Sequence, residues 1–456
     1  VFYLTERSSE TVNSYMMEIP FDEILYMEGA VSGDNLKIHW NIEELRVTMI
    51  HPGKLSVRGV VSLWAEIMGT ESHLITENVE EQPNVYIRTE NFQLAEPVIE
   101  RRDSYRIRDE ISLPANNRNV QKILWKNQQL KGMDIRIQDN HLALKGEVQI
   151  LVIYQSEDDA AGLQWMEQSV PFQGTLDVTG LTTEMFGVIE TEVSHQNIEV
   201  KPDYDGELRM FQLELMLEVH MRIFEERTCK YLTDAYSTKK QLNLQTEEIS
   251  YEKLRICNQT KIKISGQEKI EEGTPVLQIL GHEACLMNQR WHMTEQGLVC
   301  EGILEVQILY VTSSDRQPLG NMAVSLPYSQ MIEVPEIDKK DRVYVMQKLD
   351  QLAVSMSNSG QIEIRGTVGA EVCVMEQCNL QNIKEISVED YDIEIYKKRP
   401  GVCIHFVQPG ETLWKIAKNH CTTTEEIKKL NELSCDEVAA GQKLLLLKAA
   451  ATPLVL

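Results

Sequence analysis

The chain has 456 residues, of which 42% are hydrophobic and 25% are charged, a composition typical of a folded protein of two to four domains rather than a disordered chain. Its 70 acidic residues outnumber its 45 Lys and Arg residues and give a net charge of −25, which disfavours binding to nucleic acid or to anionic lipid. No apolar run approaches the ~20 residues that a membrane-spanning helix needs, so we expect no direct membrane insertion.

The cysteines are distributed unevenly, since all nine lie at or beyond Cys229 and none forms a C-x-x-C pair. An odd number at wide spacing argues against the disulfide framework of a small secreted domain. We therefore expect reduced, mostly buried thiols in a cytosolic protein.

The first predicted elements belong to an internal repeat. Gly146 and Tyr154 recur as Gly302 and Tyr310, an offset of 156 residues, and an offset of 151 in the other direction aligns Tyr154 with Tyr3. The same registers also align pairs of a proline and an aromatic residue. Agreement at many positions in one register indicates three copies of one unit, rather than three unrelated β segments with similar turns.

Each copy closes with a long strand in which apolar residues occupy seven alternate positions. Period-two alternation predicts that one face of this strand packs against a core. The aligned positions are Leu55, Val57, Gly59, Val61, Leu63, Ala65 and Ile67, then Phe211, Leu213, Leu215, Leu217, Val219, Met221 and Ile223, then Ile362, Ile364, Gly366, Val368, Ala370, Val372 and Val374. The middle copy has about five additional residues near 201–206, which predict a longer turn. Trp40 and Trp64 lie on repeat strands, and we expect them to pack in the core.

These patterns predict a mainly β protein, in which tandem sandwich-like repeat domains of about 150 residues each form antiparallel two-layer structures. The first copy contains only the C-terminal half of the unit, so we expect the chain to be a fragment of a longer protein. Its strand at Val1–Leu4 is then expected to need a partner that completes the sheet.

A different pattern begins after the third copy, where alternation gives way to helical spacing. A basic Pro-Gly step predicts a linker, and a strand, two helices and a last strand follow it. The signals in order are the strand Ile404–Val407, the helical stripe Leu413, Ile416 and Ala417, the capping residues Thr422–Thr424 and the turn at Gly441. The predicted divisions are a first repeat at 1–92, a second at 93–248, a third at 249–395, a linker at 396–401, a βααβ domain at 402–448 and a tail at 449–456.

The C-terminal domain resembles the LysM family. The resemblance is carried by Val407-x-x-Gly410-Glu411-Thr412-Leu413-x-x-Ile416-Ala417, by Asn431 before Leu433 and by Gly441-Gln442-x-Leu444. It implies a βααβ fold and a groove for N-acetylglucosamine polymers or a protein partner. The loops of that groove would be formed by Gly410, Glu411, Thr412 and Leu413 and by Asn431, Glu432 and Leu433. Cys421 stands where members usually have a small residue such as Gly.

Trp414 follows the first predicted loop, at the start of the first helix. Two interpretations remain open for this side chain. It packs against the linker or a repeat domain, or it anchors a partner protein.

Tandem β-rich repeats followed by one LysM domain resemble the SipL family of spore coat morphogenetic proteins, whose repeats are called SPOCS domains. The segment Tyr231–Ser237 is similar to the closing segment of that repeat. The resemblance implies a non-enzymatic scaffold in the mother-cell cytoplasm at the forespore surface. There it would link a polymerising coat ATPase, contacted by the LysM domain, to other coat proteins. The LysM motif alone supports an alternative, a cell-wall protein that binds peptidoglycan.

No catalytic arrangement emerges from the sequence, and we predict no enzyme activity, no cofactor and no metal. Phosphate-binding glycine loops are absent, and Leu286 stands where a zinc protease would place the second His after His282-Glu283. Several potential zinc ligands lie in the C-terminal domain, namely Cys403, His405, His420, Cys421 and Cys435. Their C-x-H and H-C spacings match no tetrahedral zinc template.

Overall fold

The structure, a computed structural model, describes residues 2–4, 12–31, 36–51, 53–80, 83–157, 163–269, 276–313, 319–357, 361–390 and 400–447. This part of the chain is dominated by antiparallel strands with two short helices, so the predicted mainly β class is confirmed. The strands are β1 (Phe2–Leu4), β2 (Val12–Ser14), β3 (Leu36–His51), β4 (Lys54–Ile67), β5 (Val85–Ser112), β6 (Val120–Gln138), β7 (His141–Ser156), β8 (Leu163–Asp177), β9 (Phe186–Pro202), β10 (Leu208–Ser237), β11 (Lys240–Lys269), β12 (Val276–Thr294), β13 (Gly297–Thr312), β14 (Leu319–Glu333), β15 (Arg342–Met356), β16 (Gln361–Asp390), β17 (Val402–Phe406) and β18 (Lys443–Leu447), and the helices are α1 (Leu413–His420) and α2 (Thr424–Leu430).

The second repeat is a two-layer sandwich. Its first sheet has the strand order β6-β7-β8 and its second the order β5-β10-β9. The alternate residues of β7 and β10 pack against one another in the core, and the fully buried ones include Val148, Ile150, Val152 and Tyr154 from β7 and Phe211, Leu213, Leu215 and Leu217 from β10. Each such side chain contributes about 1.5–3 kcal/mol of hydrophobic stabilisation. The predicted core face is therefore confirmed in this copy.

The longer turn that the sequence predicts in this repeat connects β9 to β10. The Asp203 carboxylate accepts hydrogen bonds from the backbone N–H groups of Asp205 and Glu207, both at 3.0 Å. Gly206 has φ of +82°, a left-handed conformation that glycine adopts without steric cost.

The third repeat has the same two layers. Sheet β12-β13-β14 packs on sheet β11-β16-β15. The residues of β13 that alternate toward the interior, Leu304 and Val306, meet Ile364 and Val368 of β16, and all four are fully buried. The antiparallel two-layer prediction is thus confirmed for the second and third copies.

The first repeat differs, because in the described residues its β3–β4 hairpin has no sheet of its own repeat packed over it. Val57 and Val61 occupy the predicted core face yet are 39% and 37% exposed. Trp40 and Trp64 are 58% and 50% exposed. The expected core packing of these residues is therefore wrong, since alternation identifies the apolar face of a strand but not the layer that covers it.

The chain divides into two compact units. One contains Val1–Thr70, Ala95–Glu225 and Leu254–Glu376, and the other contains Glu71–Leu94, Glu226–Lys253 and Gln377–Leu456. The second unit holds the βααβ domain together with strand ends packed around Phe92, Ile249 and Leu380. The repeat boundaries predicted from the sequence stay predictions.

The βααβ domain folds as the sequence predicts. β17 and β18 form an antiparallel pair, and the stripe of Leu413, Ile416 and Ala417 on α1 is buried in the domain core. α2 begins with a capping box, in which Thr423 Oγ1 accepts from the Glu426 N–H at 3.0 Å while the Glu426 carboxylate accepts from the Thr423 N–H. No helix in the described residues is long and apolar enough to cross a membrane.

Cys421 occupies the C-cap of α1. Its φ of +53° places the backbone in the left-handed region, which glycine adopts with the least steric cost. The side chain is buried. Cys421 therefore forms the left-handed cap of the helix although it is not a glycine.

The thiol prediction is wrong at one pair, because the structure joins Cys257 and Cys373 in a disulfide within the β11-β16-β15 sheet. The two residues are 116 positions apart, and only the adjacency of β11 and β16 brings their Cα atoms to 4.1 Å. The expectation of mostly buried thiols also fails at Cys285 and Cys435, which are exposed.

His282 on β12 gives the third repeat a pH-sensitive position. Its Nε2 atom is buried without a hydrogen-bond partner among the described residues, and burial lowers the pKa of the imidazole to about 4. As the pH falls, the His282 imidazole takes up a proton at a higher pH in the unfolded chain than in the folded protein. The free energy of unfolding should therefore fall as the pH drops from about 6.5 toward 4. Between pH 7 and 5, we expect the free energy of unfolding of the wild type to fall by about 2 kcal/mol more than that of a His282→Gln variant. Urea unfolding measures both. Parallel pH profiles for the two proteins would contradict this assignment.

Candidate functional site

The first predicted loop is held to β17 by a carboxylate. Gly410 has φ of +77° and turns the chain after β17. The Glu411 carboxylate accepts from the Gln408 N–H at 3.0 Å, and its Oε2 lies 2.7 Å from His405 Nε2. The hydrogen bond with His405 is the main cause that holds the pKa of Glu411 below its usual range. The Glu411 carboxylate therefore stabilises the loop through its hydrogen bonds with Gln408 and His405.

The next two predicted site residues start helix α1. Thr412 is exposed and caps the helix, since its Oγ1 accepts from the Lys415 N–H at 3.3 Å. Leu413 is only 1% exposed and belongs to the domain core. Leu413 thus supports the loop and offers no surface to a ligand.

The second predicted loop is held to β18 by an amide. Asn431 Nδ2 donates to the carbonyl oxygens of Ile427 at 2.9 Å and Leu445 at 2.8 Å, and Oδ1 accepts from the Leu445 N–H at 2.7 Å. Glu432 is exposed and has φ of +56°, and the Leu433 N–H donates to a carbonyl of α2. This is the hydrogen bond of a helix C-cap. Both loops are therefore tied to the same two-stranded sheet.

Trp414 contacts a residue of β10 that the sequence did not connect with it. The indole Nε1 donates to Asp234 Oδ2 at 2.8 Å, and the ring meets Tyr236 edge to face at 4.8 Å between centroids. Lys418, one turn further along α1, forms an ion pair with the other oxygen of Asp234 at 2.5 Å. Of the two interpretations of Trp414, the structure shows packing against a strand of the repeat region.

Tyr236 lies at the centre of this contact. Its ring stacks on Tyr86 at 5.4 Å, and its hydroxyl donates to the Thr422 carbonyl oxygen at 3.0 Å. Burial raises the pKa of its hydroxyl above the ordinary value. We call Tyr86, Asp234, Tyr236, Trp414 and Lys418 the docking cluster. The segment Tyr231–Ser237 was the available sequence signal, but nothing in it identified α1 as its partner.

A second surface of this domain is apolar. Alternate residues of β17 and β18 point away from the core, and the strand register places Val402 opposite Leu447 and Ile404 opposite Leu445. Lys443 Nζ lies 5.5 Å from the centroid of the Phe406 ring at one end. We call Val402, Ile404, Phe406, Leu445 and Leu447, which are 37–61% exposed, the apolar strand face. A contiguous apolar patch of this kind is typical of an interaction surface. The sequence analysis missed it, although the alternation of β17 carried the signal.

The potential zinc ligands do not assemble into a metal site. Cys403 Sγ lies 3.7 Å from His420 Nδ1, and the rings of His405 and His420 are 5.2 Å apart. In the part of the chain that the structure describes, no group of three or more His, Cys, Asp or Glu side chains could hold a metal ion.

Comparison with protein families assigns these domains. The LysM domain model matches residues 405–446, and the SipL, SPOCS domain model matches residues 119–201 and 275–357. The two SPOCS matches begin and end 156 residues apart, which confirms the repeat register. No solved structure significantly matches the chain. The chain therefore contains two SipL SPOCS domains followed by a C-terminal LysM domain and has the SipL-type architecture.

Proposed function

We propose that this protein is a non-enzymatic scaffold of endospore coat assembly. Its LysM domain would bind the coat morphogenetic ATPase, and its SPOCS repeats would connect that ATPase to other coat proteins at the forespore surface. The SPOCS and LysM domains support a sporulation-related coat protein, since both are binding or scaffold families. The mother-cell cytoplasm is the proposed location.

The apolar strand face is the observation that carries the choice of a protein partner. Its side chains offer no hydrogen-bond donors or acceptors, so a sugar polymer laid across it would lose hydration of its hydroxyl groups without compensation. A protein partner with apolar side chains would gain the hydrophobic free energy of both surfaces. Since Trp414 is engaged in the docking cluster, this face also replaces Trp414 as the proposed anchor.

Peptidoglycan binding is the second candidate function. The LysM match over residues 405–446 favours it, together with the exposure of Gly410, Thr412 and Glu432 in the two predicted loops. In that case the chain would belong to the cell wall, and the loops rather than the strand face would contact the ligand.

Substitutions on the two surfaces distinguish these functions. We expect Ile404→Ser and Phe406→Ser each to weaken binding of the whole chain to purified coat ATPase by about tenfold or more, because each removes a large apolar contact. Glu432→Ala serves as the matched control in the loop and should leave that affinity unchanged. Titration by biolayer interferometry measures both, with circular dichroism to verify folding. Full affinity in the folded strand-face variants, or loss only in Glu432→Ala, would contradict the proposed surface.

A further inference from the structure

Strands β3, β9 and β15 of the three repeats converge on one cavity of about 1140 Å³, which we call the repeat cavity. Successive side chains of a strand point to opposite faces, so a strand that presents only one face would contribute alternate residues. The repeat cavity is instead lined by consecutive residues, namely 36–41, 190–192 and 343–348. Each strand therefore turns its edge, with its outer backbone N–H and C=O groups, toward the cavity.

These edges are open to a further strand. β3 pairs with β4, β9 with β10 and β15 with β16, and no strand in the described part of the chain pairs with the other side of β3, β9 or β15. An open strand edge binds an extended peptide through main-chain hydrogen bonds. The repeat cavity is also larger than the about 300–1,000 Å³ of a typical small-molecule pocket. A peptide segment therefore fits it better than a small metabolite.

The repeat cavity is acidic. Its basic residues are Lys37, Arg102 and Lys348, and its six carboxylates are those of Glu66, Asp134, Glu190, Glu192, Glu218 and Glu371. Lys37 Nζ already forms an ion pair with Glu190 at 2.5 Å. Glu192 lies directly opposite Glu218 in the β9–β10 ladder, and like charges in such a pair repel one another. A cationic ligand would relieve this repulsion.

Tryptophan side chains add a second feature that favours a cation. Trp40, Trp64 and Trp291 line the repeat cavity and are 42–58% exposed. The His39 ring stacks on Trp64, with 5.1 Å between the ring centroids. Lys and Arg side chains bind the faces of such rings through cation–π contacts and pack their aliphatic stems against them. Basic side chains of a peptide would thus find both carboxylates and indole rings in the cavity.

The lining of the repeat cavity differs among the three repeats, although their core faces share one apolar pattern. The equivalent cross-strand pairs that line it are His39 with Trp64, Glu190 with His220, and Met346 with Glu371. The three edges therefore differ in charge. β3 contributes Lys37 and His39 and β15 contributes Lys348, whereas the charged residues that β9 contributes are all acidic. β9 is the edge that best suits a basic strand.

We propose that the repeat cavity is the docking site of an extended basic peptide segment of a partner protein, which adds to the edge of β9 and presents Lys or Arg side chains to the carboxylates and indole rings. This site belongs to the repeats alone, so it goes beyond the proposed binding of the ATPase by the LysM domain. An acidic segment would meet like charge in the cavity. A free polyamine shares the cationic chemistry but forms no main-chain ladder with β9.

Fluorescence anisotropy with the whole chain tests this proposal. The probe is a labelled octapeptide of alternating Lys and Thr, for which we expect saturable binding. The same octapeptide with N-methylated Thr amides should bind about tenfold more weakly or worse, because it cannot complete a strand ladder. An octapeptide of alternating Glu and Thr should not bind. Equal affinity for the methylated peptide, or competition by spermidine as strong as that by the unlabelled octapeptide, would overturn the proposal.

Hydrogen exchange and charge variants locate the site. The octapeptide should slow amide exchange in residues 187–192. Glu192→Gln should weaken binding by about threefold or more, whereas Lys348→Gln should strengthen it, a gain that misfolding would not produce. Glu199→Gln is the matched control, since this exposed residue lies on β9 outside the cavity and the same charge is lost. Equal effects of Glu192→Gln and Glu199→Gln, or unchanged exchange in residues 187–192, would overturn the assignment.

Discussion

Replacement of Leu413 by Asp is expected to unfold the LysM domain. Leu413 is 1% exposed and packs in the core with Ile416, Ala417 and Ile427. A carboxylate at this position would be buried without a partner, at a cost of about 4–5 kcal/mol or more, which is comparable with the whole stability of a small domain. Hydrogen exchange of residues 402–447 should therefore rise to that of an unfolded chain, and binding of the coat ATPase should be lost with it.

Leu413→Met is the matched control for this substitution. It conserves side-chain volume and should cost less than about 1.5 kcal/mol, so that both exchange protection and partner binding persist. Retention of native exchange protection in Leu413→Asp would show that the position is not a core position in solution.

Trp414→Ala is expected to release the LysM domain from the docking cluster without unfolding it. The substitution removes the hydrogen bond to Asp234 and the ring contact with Tyr236. Because Trp414 is only partly buried, the loss of its side chain should cost less than the about 3–5 kcal/mol of a fully buried aromatic residue. Exchange in the segment Tyr231–Ser237 should therefore increase, while residues 424–447 remain protected.

The effect on partner binding separates the two interpretations of this residue. Because Trp414 is engaged within the molecule, we expect the folded Trp414→Ala variant to keep most of its affinity for the coat ATPase. Trp414→Phe retains packing on Tyr236 but lacks the indole N–H. Its hydrogen exchange in Tyr231–Ser237 should therefore be faster than that of the wild type and slower than that of Trp414→Ala. A folded Trp414→Ala variant that loses the ATPase while Tyr231–Ser237 stays protected would return Trp414 to the interface.

The LysM domain could be predicted in detail because its signals are local. The stripe of Leu413, Ile416 and Ala417 and the capping box of Thr423 and Glu426 lie within a few residues of one another, so spacing alone determines both helices. The docking cluster could not be predicted in this way. Trp414 and Asp234 are 180 positions apart, and nothing in either segment specifies the other.

The repeats show a second limit of sequence patterns. Val57 and Leu213 occupy equivalent positions in the same alternation, yet the first is partly exposed and the second fully buried. The alternation determines which face of the strand is apolar, whereas burial depends on whether a second sheet packs on that face. The same reasoning applies to the apolar strand face of β17 and β18. The sequence predicted both strands, but it did not specify that the domain core lies on the opposite side of them.

The central claim is that the LysM domain of this chain recognises a protein. The most direct test mixes the whole chain with purified coat ATPase and, in parallel, with purified peptidoglycan sacculi, and measures binding by interferometry and by co-sedimentation. The whole chain is used because Tyr86 and Tyr236 of the docking cluster pack against the LysM core. We predict saturable binding to the ATPase and no pelleting with sacculi. Pelleting with sacculi, without binding to the ATPase, would contradict the scaffold function and assign the domain to the cell wall.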